Sequence, residues 1–128
     1  MKPEFQDLPG HEIRDIRLSG TEVSMEYRIP IVGYTGDTSP KGLDDNPIFY
    51  ECKILITELT FVAADHRRDL IHKNGHMHLD DFVARKDDFK NELIVAGHYS
   101  TRYNSRQAEK MVKRALPDLL DGRLKLWL

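Results

Sequence analysis

The sequence predicts an α/β fold on a mixed, partly parallel sheet with flanking helices, and three observations carry that reading. Short apolar runs at 31–34, 53–57 and 92–96 lack the polar alternation of a half-exposed strand, so both of their faces call for cover. Segments of helical pattern separate them, at intervals suited to right-handed crossovers. Glycine, proline, asparagine and aspartate gather between the segments and mark the turns.

In chain order, Pro9 and Gly10 open a stretch in which Ile13, Ile16 and Leu18 recur at helical spacing, and Gly20 closes it. Over 22–28, Val23, Met25 and Tyr27 alternate with polar residues and predict a strand with one buried face. Pro30 interrupts, and 31–34 reads as a buried strand. The Gly, Pro, Asn and Asp content of 36–47 predicts a loop, and Asn46-Pro47 starts one helical turn through Ile48, Phe49 and Tyr50. A strand follows at 53–57, then helices at 66–74 and 79–89 on either side of Gly75. The remainder predicts a strand at 92–96, a helix at 104–116 ended by Pro117, and a strand at 123–128. About three substantial helices are too few to cover both faces of the sheet, so one apolar face is expected to lie open.

A chain of 128 residues suits one domain. No apolar run approaches the roughly 20 residues that span a bilayer, which argues against a membrane partner. The net charge of −2 offers no overall basic field for nucleic acid, so any RNA contact must come from a local surface. Cys52 is the sole cysteine, which rules out an internal disulfide or a thiolate zinc cluster and fits a cytoplasmic location.

Two runs placed directly after apolar strands carry the chemistry: Tyr34-Thr35-Gly36-Asp37-Thr38 and Gly97-His98-Tyr99-Ser100-Thr101-Arg102-Tyr103. Strand ends are where α/β folds present ligands to a crevice, and an imidazole with a carboxylate suits zinc. Each residue also has a plainer reading. Asp37 fits an Asx turn, and His98 fits a satisfied, partly buried histidine. His76 and His78 read as alternate ligands on an extended segment or as a polar cap at a helix junction beside Asp80 and Asp81. Arg102 with Ser100 suits a phosphate, or a surface arginine paired with an acid.

In order and spacing these motifs resemble the C-terminal half of the metallo-β-lactamase superfamily, ribonuclease Z type. The family's Gly-Asp-Thr matches Gly36-Asp37-Thr38, and its His-Phe-Ser-x-Arg-Tyr matches the run from His98 to Tyr103, with Tyr99 for phenylalanine. Its His-Glu-Ala-Thr falls on Thr57-Glu58-Leu59-Thr60, and its His-Ser-Thr histidine on His76. The resemblance implies that 1–128 forms the C-terminal half of an αββα sandwich and takes part in zinc-dependent, endonucleolytic 3′ processing of precursor tRNA. It implies Asp37 as a carboxylate bridging two zinc ions and His98 as a ligand of one. His76 and Glu58 would help protonate the leaving oxygen, while Ser100 and Arg102 hold phosphate oxygens. Thr38, His78 and Tyr103 would support those groups from behind.

The family's His-x-His-x-Asp-His motif is absent, and only 36 residues precede Asp37. The chain is therefore expected to need an N-terminal half or a partner chain, and to be inactive alone; a homodimer is a further expectation. Thr57 for histidine and Met77-His78 for Ser-Thr depart from the family pattern, and His78 is expected either to add a proton donor or to point to solvent. A metallohydrolase of the same fold acting on another ester or phosphodiester, and a non-catalytic fragment or binding subunit, are the competing readings.

Overall fold

The computed structural model describes residues 2–128. Its centre is a four-stranded sheet of β1 (Val32–Tyr34), β2 (Ile54–Glu58), β3 (Leu93–Gly97) and β4 (Leu124–Leu126), in the spatial order β1-β2-β3-β4. Every neighbouring pair is parallel, so the expectation of a mixed sheet is corrected for the described residues. The reason lies in the connections. A helical crossover rather than a tight turn joins each strand to the next, which returns the chain to the same end of the sheet.

The crossovers carry α2 (Pro40–Asp44), α3 (Ile48–Glu51), α4 (Arg68–Lys73), α5 (Leu79–Ala84) and α6 (Ser105–Ala115). The α2 turn lies inside the segment read as loop; Pro40 at its first position, behind Ser39, fixes the backbone for helix entry. The α5 helix stops at Ala84, short of the expected 89, because Asp87 and Asp88 would set negative charge on its negative end. The α6 helix is fixed by a capping box: Gln107 N–H donates to Asn104 Oδ1 at 2.9 Å, and Asn104 N–H donates to Gln107 Oε1 at 3.0 Å.

Register assigns the faces. Leu55, Ile94 and Leu124 are partners and all fully buried, packed with Phe82, Ala108 and Val112 beneath α5 and α6. Gly33 shares that face, and a side chain there would strike Cys52 Sγ and the Phe49 ring of α3. The opposite face, with Val32, Tyr34, Ile54, Ile56, Leu93 and Val95, has no layer over it among the described residues, as expected. Val32 and Tyr34 are 57% and 72% exposed.

The N-terminal segment holds a 3-10 turn (Pro3–Phe5) and α1 (Gly10–Leu18), which buries no residue. Residues 21–31 form no assigned strand, although Pro30 O and Ile31 O accept from Lys53 N–H at 3.1 Å and Ile54 N–H at 2.8 Å, and this corrects the strand expected at 22–28. Alternation alone cannot make a strand; it needs a paired neighbour, and Met25 and Tyr27 lie exposed. No helix among the described residues is long and apolar enough to cross a membrane.

Candidate metal centre

A parallel sheet brings the C-terminal ends of its strands to one side, and there the marked residues meet. Asp37 follows β1 through Gly36, whose φ of +62° is the left-handed turn that glycine adopts without steric cost. Glu58 ends β2, and His98 directly follows β3. His98 itself has φ +60°, a strained conformation for a side-chain-bearing residue that sets its ring at the sheet rim. His76 arrives from the segment after α4, where Met77 N–H is anchored on Glu58 Oε1 at 3.0 Å. One ligand atom from each of Asp37, His76 and His98 lies within 4.8 Å of the others.

Behind this trio stands a buried network centred on Glu58. Its Oε1 accepts from Thr38 N–H at 3.2 Å and faces His76 Nδ1 at 3.1 Å, while its Oε2 accepts from Thr60 N–H at 2.9 Å and Thr60 Oγ1 at 2.6 Å. Thr60 has one hydroxyl proton, and the carboxylate takes it. Its oxygen can then only accept from the two imidazoles it touches, His76 Nδ1 at 3.3 Å and His98 Nδ1 at 3.2 Å. Both rings therefore carry their proton on Nδ1 and keep Nε2 as the lone-pair nitrogen, the tautomer a metal ligand needs. The two rings stack with centroids 5.9 Å apart. Asp37 Oδ1 lies 3.6 Å from His98 Nδ1.

The other marked residues have varied fates. Thr38 ties the Gly36-Asp37-Thr38 turn to Glu58, and its hydroxyl donates to Ser39 O at 2.9 Å. Thr57 is buried and shares a 3.0 Å hydroxyl contact with Thr35, which fastens β2 to the same turn. Ser100 Oγ accepts from Arg102 N–H at 3.3 Å, so its hydroxyl shapes the loop that presents the Arg102 side chain. Tyr103 reaches back to accept from Val62 N–H at 3.3 Å and Ala63 N–H at 3.2 Å.

His78 neither adds a proton donor to the centre nor points to solvent; it is the polar cap at a helix junction. It is buried, its Nε2–H donates to Ala63 O at 2.6 Å, and its Nδ1 accepts from Asp80 N–H at 3.0 Å. Nδ1 is spent on capping α5 and Nε2 on the Ala63 carbonyl, so the ring neither faces solvent nor offers a proton to the centre.

The sequence assigned no role to two participants, Thr60, which lies inside a matched motif, and His66. Thr60 couples both imidazoles to one carboxylate, and His66 packs against Tyr103. Tyr99 packs against the core with its hydroxyl buried and without a partner among the described residues, and burial pushes the pKa of that hydroxyl well above its ordinary value. A larger cavity of ≈ 710 Å³, lined by Lys86, Lys90 and Arg123, lies where β3 and β4 begin, at the other end of the sheet.

No family model matches the chain. It is 35% identical to tRNase Z TRZ1 of Arabidopsis thaliana over 130 aligned positions, covering 97% of this chain and 45% of that protein. It is 25% identical to the chloroplastic tRNase Z TRZ2 of the same plant over 114 positions, covering 88% of this chain and 32% of that protein. The chain thus spans less than half the length of either relative, and by these matches it is a ribonuclease Z-type homologue, akin to the tRNase Z proteins.

Proposed function

We propose that the chain supplies part of the active centre of a metal-dependent phosphodiester hydrolase that trims the 3′ side of precursor tRNA. The observation that carries the reading is the meeting of Asp37, His76 and His98 at the rim of the sheet, with the Glu58–Thr60 network fixing both imidazole tautomers. An imidazole and a carboxylate suit zinc, and Asp37 has the two oxygens a bridging ligand uses. Asp37 and His98 alone fall short of two complete shells, so further ligands would come from an N-terminal half or a partner chain. The same missing part would cover the open apolar face with a second sheet.

Bound there, the metal would activate a water for attack on phosphorus and offset the charge that builds on the phosphoryl oxygens. The chain's own residues would do the rest. Asp37 and His98 would hold the metal, and Glu58 would accept from His76 Nδ1–H and orient the ring so that Nε2, once it has gained a proton from solvent, passes that proton to the leaving oxygen. Arg102 would clamp a phosphate oxygen with its planar fork, from a loop whose shape Ser100 sets.

The test is cleavage of a precursor tRNA by the full-length gene product, run beside Asp37→Ala, His98→Ala and His76→Ala. The ligand substitutions should lower cleavage by at least about 100-fold and release metal. His76→Ala should lower cleavage and leave metal content unchanged, whereas metal loss would make His76 a third ligand. Undiminished cleavage in Asp37→Ala and His98→Ala would overturn the assignment. Faster turnover of a small phosphodiester than of tRNA would move the substrate, and no hydrolysis by the unsubstituted protein would leave a binding subunit.

A further inference from the structure

Beside the centre, and sharing His76 with it, lies a cavity of ≈ 350 Å³ walled by Phe61, His66, Arg67, Leu70 and Arg102. The His66 side chain is only 12% exposed, and its hydrogen bonds can be counted. Tyr103 Oη accepts from the N–H groups of Val62 and Ala63, which uses both of its lone pairs. Its single proton must then go to His66 Nε2, with which it makes a close contact. His66 therefore carries its own proton on Nδ1. That nitrogen stands 3.5 Å from Arg102 Nη1, so two donors face one another and neither can accept.

Two donors so placed are completed by an acceptor that both can reach, and a phosphate oxygen is one. The charge around them agrees. Arg102 and Arg67 line the cavity, Arg67 already paired with Asp69 at 2.8 Å, and the one lining acid, Asp65, is 84% exposed, which leaves Arg102 as the cation open to a ligand. The remaining wall is apolar: Phe61, half-buried and 4.8 Å from the His66 ring centroid, and Leu70. The volume exceeds what a phosphate alone fills, and a nucleobase matches an aromatic and aliphatic wall.

We propose that this cavity seats the nucleotide next to the scissile bond, with its phosphate on the Arg102 guanidinium and the His66 Nδ1–H and its base against Phe61 and Leu70. The proposal rests on the hydrolase reading above and names a substrate position for it. His66 is a binding residue here, with no part in bond cleavage.

The test uses this chain, without metal or turnover, titrated separately with adenosine 5′-monophosphate and with inorganic phosphate. The ¹⁵N spectra of the histidine and arginine side chains are followed. His66 should show the Nδ1–H tautomer, and its resonances and those of Arg102 should move with the nucleotide. Adenosine monophosphate should bind about 10-fold more tightly than phosphate, the margin expected of one stacked base. His66→Phe, which keeps the ring packing and removes the donor, should weaken nucleotide binding about 10-fold. His66→Asn, which sets an amide N–H near the Nδ1 position, should recover most of that loss.

An Nε2–H tautomer, equal affinity for phosphate and nucleotide, or undiminished nucleotide binding by a folded His66→Phe would each overturn the proposal. Its failure is separable from failure of the hydrolase reading. Intact tRNA cleavage without nucleotide binding removes only this subsite. His66-dependent nucleotide binding without any cleavage removes the hydrolase reading and leaves the cavity a nucleotide site of another reaction.

Discussion

One face of the sheet and the other are built from nearly the same residue types, yet they meet different surroundings. On the helix side Leu55, Ile94 and Leu124 are sealed beneath α5 and α6. On the other side Val32 and Tyr34 stand in the open, with Ile54, Ile56, Leu93 and Val95 half-covered between them. The difference teaches that an apolar strand reports a need for cover, and where the cover comes from is a separate question. The candidate centre sits at the rim where the two faces meet, so it shares both the finished side and the unfinished one.

Truncation on the sealed side should have the largest effect. Leu55→Ala leaves a cavity between β2 and the helices and should cost about 3 kcal/mol in chemical denaturation. A cost below about 1 kcal/mol would mean that the helix layer is loosely packed. Next comes the rim. Glu58→Gln turns an amide N–H₂ toward groups that are already donors and should cost about 2 kcal/mol, while freeing His76 to rotate. Unchanged stability together with an unchanged His76 tautomer by NMR would remove Glu58 from the centre of the network.

Tyr99→Phe should act in the opposite direction. The lost hydroxyl has no partner, so its removal should raise stability by about 1 kcal/mol in a thermal melt. Destabilisation would show that the hydroxyl is in fact bonded.

A smaller effect belongs to the Arg85–Asp44 pair, which ties α5 to α2 through a 2.7 Å contact. Hydrogen bonding from Arg85 first, and from Tyr50 second, holds the Asp44 carboxyl below its ordinary 3.8, against a burial effect that works to raise it. A depressed carboxyl stabilises the fold above the unfolded-state value and loses that contribution as pH falls through the folded value. Arg85→Met should therefore cost about 0.5 kcal/mol at pH 7, and the gap should close as pH drops below 3.8. A gap that persists in acid would point to lost packing by the arginine stem.

The smallest effect sharpens the comparison most. Val32→Ala on the open face should cost under about 0.5 kcal/mol in this chain. In a full-length protein in which a second sheet covers that face, the same change should cost about 1–2 kcal/mol.

Much of this was legible beforehand. The strands at β2 and β3 and the helix α6 follow from apolar runs and caps that local chemistry dictates. The all-parallel order was only partly legible, because an apolar run does not state its direction. The segment around Met25 and Tyr27 misled because alternation is a property of the chain, whereas pairing belongs to a neighbour. At the centre, motif order pointed to Asp37, Glu58, His76 and His98, and the fold brings all four to the same rim. Thr60, although inside a matched motif, and His66 were given no role because their value lies in which single proton they give or take. His78 stayed open between cap and ligand because the two are the same residue type at the same spacing, and the structure makes it the cap.

The parallel register also has a kinetic meaning. No strand pair can close as a hairpin: Val32 meets Ile54 after 22 positions, Ile54 meets Leu93 after 39, and Ile94 meets Leu124 after 30. Each pairing must wait for a long loop to close, and the entropy of that closure comes before any ladder hydrogen bond forms. The helices are the parts able to form early, and the sheet should assemble late upon them. Until it does, the strands that end with one face open have both faces and both edges bare, and crowding and temperature during synthesis then govern how much of the chain reaches its fold.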